Sequence, residues 1–162
     1  MHNFSTLDVN NMKDMFSNCN NLIELDVSKM KTSKVVDMSG MFYNCNKLVQ
    51  IDVSNFDISN VIDMTNAFAS CCKLIELNLE NWNTSNVTNM QGMFQGCESL
   101  TELNTNKWNT SKVTSMSNMF YNCTGLVKID VSKWDTNNVE KFGNGTSGRR
   151  WNVSKLYEFG RN

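Results

Sequence analysis

Between Met38 and Leu48 the apolar residues are Met38, Met41, Phe42, Cys45 and Leu48. Spacings of three, four and seven place them on one face of a short helix of about two turns. Asp37 stands just before them, where a side-chain oxygen can cap an orphan N–H, and Asp63 and Asn89 occupy the same place further on. The period then shortens. Ile51, Asp52 and Val53 alternate as in a short strand. "SNFDISN" follows as a turn, and Val61 leads a second extended piece toward the next helix.

The pattern recurs every 26 residues without insertion. Phe16, Phe42, Phe68, Phe94 and Phe120 form one column, and Cys19, Cys45, Cys71, Cys97 and Cys123 another. Further columns run through Leu22 to Leu126, Leu25 to Ile129 and Val35 to Val139, and a bulky one through Met30, Phe56, Trp82, Trp108 and Trp134. A unit this short cannot bury its apolar face alone and must stack on its neighbours. The expected fold is an α/β repeat, a right-handed solenoid in which each coil is a short helix plus short parallel strands. Like residues would then stack about 4.8 Å apart. Phe4, Thr6, Val9 and Met12 match Met30, Thr32, Val35 and Met38, so the chain opens inside a unit. The expected organisation is a partial repeat over 1–11, a five-repeat solenoid over 12–139 and a C-terminal cap or tail over 140–162. In the last segment Gly145 and Thr146 stand where Met and Phe recur.

"LIELDVS", "LVQIDVS" and "LVKIDVS", with "MFSNC", "MFYNC" and "MFQGC", resemble the BspA-type leucine-rich-repeat surface proteins, and more closely the 26-residue variant common in mycoplasmas. The third unit departs from the pattern with "AFASCC". The resemblance implies a leucine-rich-repeat-like solenoid on a bacterial cell-surface or secreted protein that binds or adheres. It supplies no catalytic residues.

Composition narrows the function classes. The 162 residues carry a net charge of −1, no Pro and 19% charged residues, so no global field favours nucleic acid. No apolar run reaches the roughly 20 residues of a membrane helix. The opening "MHNFSTLDVNN" lacks the basic and apolar regions of a secretory signal. His2 is the only histidine, so neither a Ser-His nor a Cys-His pair is credible, and no enzyme is expected.

The cysteines show no C-x2-C zinc spacing, and the laddered five read as small buried hydrophobes. No metal or other cofactor is expected. Cys72 lies off the ladder and is the candidate reactive thiol. The column Asp26, Asp52, Asn78, Asn104 and Asp130 exchanges Asp for Asn, which side-chain hydrogen bonding along the ladder tolerates and a Ca²⁺ site does not. The Thr-Ser turns offer hydroxyls suited to capping turn amides. A flat Thr ladder could bind ice or a polysaccharide, but Ile58 interrupts it. The Trp column reads as a corner filler, with a stacking platform for sugar rings as the alternative.

The outward strand positions are the informative ones. Glu24, Asp26, Asp52, Glu76, Glu102 and Asp130 form a candidate acidic partner-binding face, with Glu80 nearby and Lys128 as its basic exception. Lys29, Lys31, Lys34, Lys107, Lys112 and Lys133 lie in the turns. The expected function is a non-enzymatic protein-binding or adhesion module whose partner is a protein or cell-surface ligand. The expectation includes neither nucleic acid nor membrane insertion. The alternative is a structural spacer or a scaffold unit that self-associates end to end.

Overall fold

The computed structural model describes residues 6–141. Each 26-residue unit is a chain of tight turns laid against the next unit. One ladder of parallel single-residue bridges runs Asn11, Asp37, Asp63, Asn89, Ser115, Lys141. A second begins at Glu24 and Gln50 and ends in two short strands. These strands, β1 (Glu102–Leu103) and β2 (Lys128–Ile129), pair in parallel with Glu102 opposite Lys128 and Leu103 opposite Ile129. Every one of these pairings joins residues 26 apart.

The expected α/β solenoid of helices and strands does not form. No α-helix occurs among the described residues, and strand is confined to the two-residue pair. The physical reason lies in two polar columns. Asp14, Gly40, Asn66, Gly92 and Asn118 all have φ between 54° and 62°. Four residues on, Asn18, Asn44, Ser70, Gly96 and Asn122 have φ between 59° and 73°. An α-helix needs φ near −63° throughout, so a left-handed residue at every fourth position breaks it into turns. The amides divide accordingly. Met41, Tyr43 and Cys45 donate three residues back, to Met38, Gly40 and Phe42. Gly40, Phe42 and Asn44 donate out of the unit, to the carbonyls of Thr65, Ala67 and Ala69 at 2.8 Å each. The same division repeats through Asn66, Phe68 and Ser70 and through Gly92, Phe94 and Gly96. Asp37 does cap, but its Oδ1 takes the N–H of Ser39 at the head of a turn.

Strands fail to lengthen for a related reason. Two or three side chains per unit fold back on the amide two residues ahead. Asp63 bonds the N–H of Thr65, Asp52 that of Ser54, and Asp57 that of Ser59. Such Asx turns end extended backbone after two or three residues.

The apolar columns meet in one core. Val35, Phe42, Cys45, Leu48, Val87, Phe94, Cys97 and Leu100 have no exposed surface. The phenylalanines stack from unit to unit with ring centroids 5.3–6.0 Å apart. Trp108 stacks on Trp134 at 5.9 Å. Thr32, Thr84 and Thr110 line the same interior at 1–2% exposure. The described part of the opening partial repeat pairs like the other units: Val36 N–H bonds Asn10 O, and Lys31 N–H bonds Thr6 Oγ1. At the other end the pairing runs to Lys141, whose carbonyl accepts from Met116. The rest of the expected cap or tail lies outside the described residues.

Candidate partner-binding groove

The second ladder forms the floor of an open groove of about 1350 Å³. Each unit contributes three consecutive residues. The middle ones are Leu25, Ile51, Leu77, Leu103 and Ile129, and Ile51, Leu77 and Leu103 turn into the core at 4–7% exposure. Among the described side chains, their neighbours on either side remain at the surface. Glu24, Asp26, Asp52, Glu76, Glu102 and Asp130 all line this groove, so the fold gathers the whole acidic set on one face. Among the described side chains that line it none is Lys or Arg, and the backbone of Lys128 pairs with that of Glu102 at its far end. Glu80 is not among them, since it pairs with Lys107 at 2.9 Å.

The Asp/Asn column has a local cause. Oδ1 of Asp26, Asp52 and Asp130 accepts the N–H of Ser28, Ser54 and Ser132 at 2.9 Å. Oδ1 of Asn78 and Asn104 accepts the N–H of Glu80 and Asn106 in the same way. An amide oxygen closes the turn as a carboxylate does, which is why the column exchanges. The hydrogen bond runs within a unit and not along the ladder. Bonds from the side chain and then the backbone of Ser28, Ser54 and Ser132 hold the three Asp carboxyls below their ordinary range. The charge in this column is therefore carried in addition to the structural task.

The other candidates separate from the groove. Cys45, Cys71, Cys97 and Cys123 are buried, and each S–H donates to a Phe carbonyl of the preceding unit at 2.9–3.2 Å. Burial pushes the Cys45 thiol up to about 11 and the Cys123 thiol to about 12, and it raises the Cys71 and Cys97 thiols well above their ordinary value. Cys19 is exposed. Cys72 is half-buried beside the ladder, and its S–H points to Ser70 O at 3.5 Å. Burial first and the Glu98 carboxylate second raise its thiol, so its surroundings do not favour the nucleophilic thiolate.

Thr84 and Thr110 spend their hydroxyls on the carbonyls of Asn109 and Asp135, so the buried Thr column offers no flat hydroxyl face. Trp82, Trp108 and Trp134 are 2–8% exposed and act as corner filler. Three of the turn lysines brace adjacent units. Lys34 reaches Asp8, Lys107 reaches Glu80 and Lys112 reaches Asn86, at 2.7–2.9 Å.

Two features of this face go beyond the acidic set. Gln50, Ser54, Asn78, Asn104 and Asn106 complete the groove's polar lining, and their repeat register marks their position. A stripe of β-branched residues, Ile23, Val49, Ile75, Thr101 and Val127, runs one residue away from the Glu24 column. Ile23, Ile75 and Val127 are 60%, 48% and 77% exposed.

Turn-built units in strict 26-residue register make this a repeat protein. A family model described as "Mycoplasma protein of unknown function, DUF285" matches residues 1–76 and 48–159, and the chain belongs to that family. The two matches overlap over 48–76, as a chain of like units allows. No curated protein and no solved structure matches it.

Proposed function

We propose that the chain is a non-enzymatic binding module of a bacterial surface or secreted protein, and that its partner occupies the acidic groove. The observation behind this reading is the gathering of six carboxylates from five successive units on one open groove. A field of one sign steers a complementary partner and repels others, nucleic-acid backbones among them. The resemblance of "LVQIDVS" and "MFYNC" to BspA-type surface proteins supports the surface location and adhesion. The test is a labelled chain on an array of proteins and glycans, beside a variant carrying Glu24→Lys, Glu76→Lys and Glu102→Lys. A ligand captured by the native chain and lost by the variant is the expected result. Undiminished capture by the variant would move the partner off this groove.

A further inference from the structure

We infer that the groove and its flanking stripe are shaped for one kind of partner segment, an amphipathic helix carrying one Lys or Arg per turn beside an apolar edge. This inference rests on the binding-module reading and names the partner's chemistry.

The first observation is charge. Glu24, Asp26, Asp52 and Glu76 supply carboxylates in three successive units, and none forms an ion pair with a described cation. Glu102 continues the series in the fourth unit. The second observation is the stripe. Ile23, Val49, Ile75, Thr101 and Val127 are held in line by backbone bonds linking each to the next, at 2.9–3.3 Å. Ile23 and Ile75 stand exposed next to Glu24 and Glu76, so an apolar row and an acidic row run side by side.

Spacing decides the partner's conformation. Parallel-paired units repeat about every 4.8 Å, so three steps along the stack cover about 14 Å. A helix presents a same-face residue about every 5.4 Å, and three turns cover about 16 Å. The mismatch of about 2 Å lies within the reach of flexible Lys arms. An extended strand presents a same-face residue about every 6.8 Å and drifts by about 6 Å over the same three steps, more than a whole unit. A helix therefore stays in register with the carboxylates and a strand does not. Apolar residues one position from each Lys on such a helix would lie over the Ile23–Ile75 row.

The test uses the full chain and three synthetic peptides of about 18 residues, enough for five turns. One carries Lys at helical spacing beside a Leu edge. The second has the same composition in alternating order, and the third is oligolysine. Binding is read by fluorescence anisotropy at low and at moderate salt. The helical-spaced peptide should bind best and weaken as salt rises. The variant Glu24→Gln, Asp26→Asn, Asp52→Asn, Glu76→Gln should bind it roughly thirtyfold less tightly, if each of four exposed pairs contributes about 0.5 kcal/mol. The Asn substitutions preserve the turns, since Asn78 and Asn104 already close them. A second variant, Ile23→Ser with Ile75→Ser, should lose binding with all carboxylates present. Equal binding of the helical-spaced and alternating peptides, or full binding by either variant, overturns the inference. The binding-module reading is tested separately, by whether the array ligand depends on the groove.

Discussion

Gly92 and Gly96 distinguish a turn-built unit from a helical one by the sign of a single measurement. Both sit in the segment whose apolar spacing predicts a helix. In a helix, Gly→Ala at either position would stabilise the chain by about 1 kcal/mol, the propensity difference between the two residues. In the structure both residues have left-handed backbone, with φ of 60° and 73°. Placing an L side chain there costs about 1–2 kcal/mol. At Gly96 nothing more is added, because the nearest atom to a new Cβ is Ser70 Cα at 3.5 Å, ordinary contact. At Gly92 the new Cβ would collide with Asn66 Oδ1 of the preceding unit. That oxygen is the far end of a flexible, half-exposed side chain, so it can swing aside at about the 0.5–1.5 kcal/mol of a shifted rotamer. Gly96→Ala should therefore destabilise by about 1–2 kcal/mol, and Gly92→Ala by about 1.5–3.5 kcal/mol. Adding Asn66→Gly removes the colliding oxygen at a position whose own φ of 55° suits glycine. The double variant should recover most of the overlap cost, giving a coupling of about 0.5–1.5 kcal/mol. Urea unfolding followed by the fluorescence of the buried Trp82, Trp108 and Trp134 measures the native chain, the three single variants and the double variant. A stabilising Gly96→Ala would refute the left-handed turns, and additive effects of Gly92→Ala and Asn66→Gly would refute the contact.

Four further outcomes follow from the core and the groove. Thr84 Oγ1 both donates to Asn109 O and accepts from Asn109 N–H, while the buried Thr32 Oγ1 has no partner among the described residues. Thr84→Val should then cost about 1–3 kcal/mol and Thr32→Val should be neutral or stabilising, as thermal melts would show. On native protein at pH 8, a thiol reagent should label Cys19 quickly, Cys72 more slowly, and Cys45, Cys71, Cys97 and Cys123 only as fast as the chain unfolds. Because burial raises those four thiols above the ordinary 9.0, the folded state keeps protons that the unfolded state loses. Their contribution is whole below pH 9 and falls as pH rises toward the folded values, so urea midpoints should drop on the alkaline side and drop less in Cys97→Ala. The lowered carboxyls of Asp52 and Asp57 work in the opposite direction. Their contribution is present above the ordinary 3.8 and lost as pH falls through the folded values. Asp52→Asn with Asp57→Asn should therefore lower stability slightly at pH 7 and flatten its fall in acid, and an acid profile parallel to the native chain's would contradict this.

The sequence conveyed which side chains go inside far better than it conveyed the path of the backbone. Met38, Met41, Phe42, Cys45 and Leu48 are buried together, as their spacing requires. Spacings of three, four and seven, however, arise from a row of tight turns as readily as from a helix. What separates the two is the sign of φ, and that information sits in the polar residues between the apolar ones. Asp14, Gly40, Asn66, Gly92 and Asn118, with Asn18, Asn44, Ser70, Gly96 and Asn122, are drawn almost wholly from residues that tolerate the left-handed region, and none is a strong helix former. Read as columns they contradict a helix; read one unit at a time, a single Asn44 does not. The groove follows the same logic. Its acidic set is visible in the sequence because outward positions on a 26-residue register share a face. The Asp/Asn exchange, however, looks like a property of the ladder until the structure shows Asp52 and Asn78 closing the same local turn. Since an amide also closes that turn at Asn78 and Asn104, the carboxylates at Asp26, Asp52 and Asp130 are not required by the fold. Charge that folding does not demand, gathered on one groove from five successive units, is where selection for a partner would leave its mark.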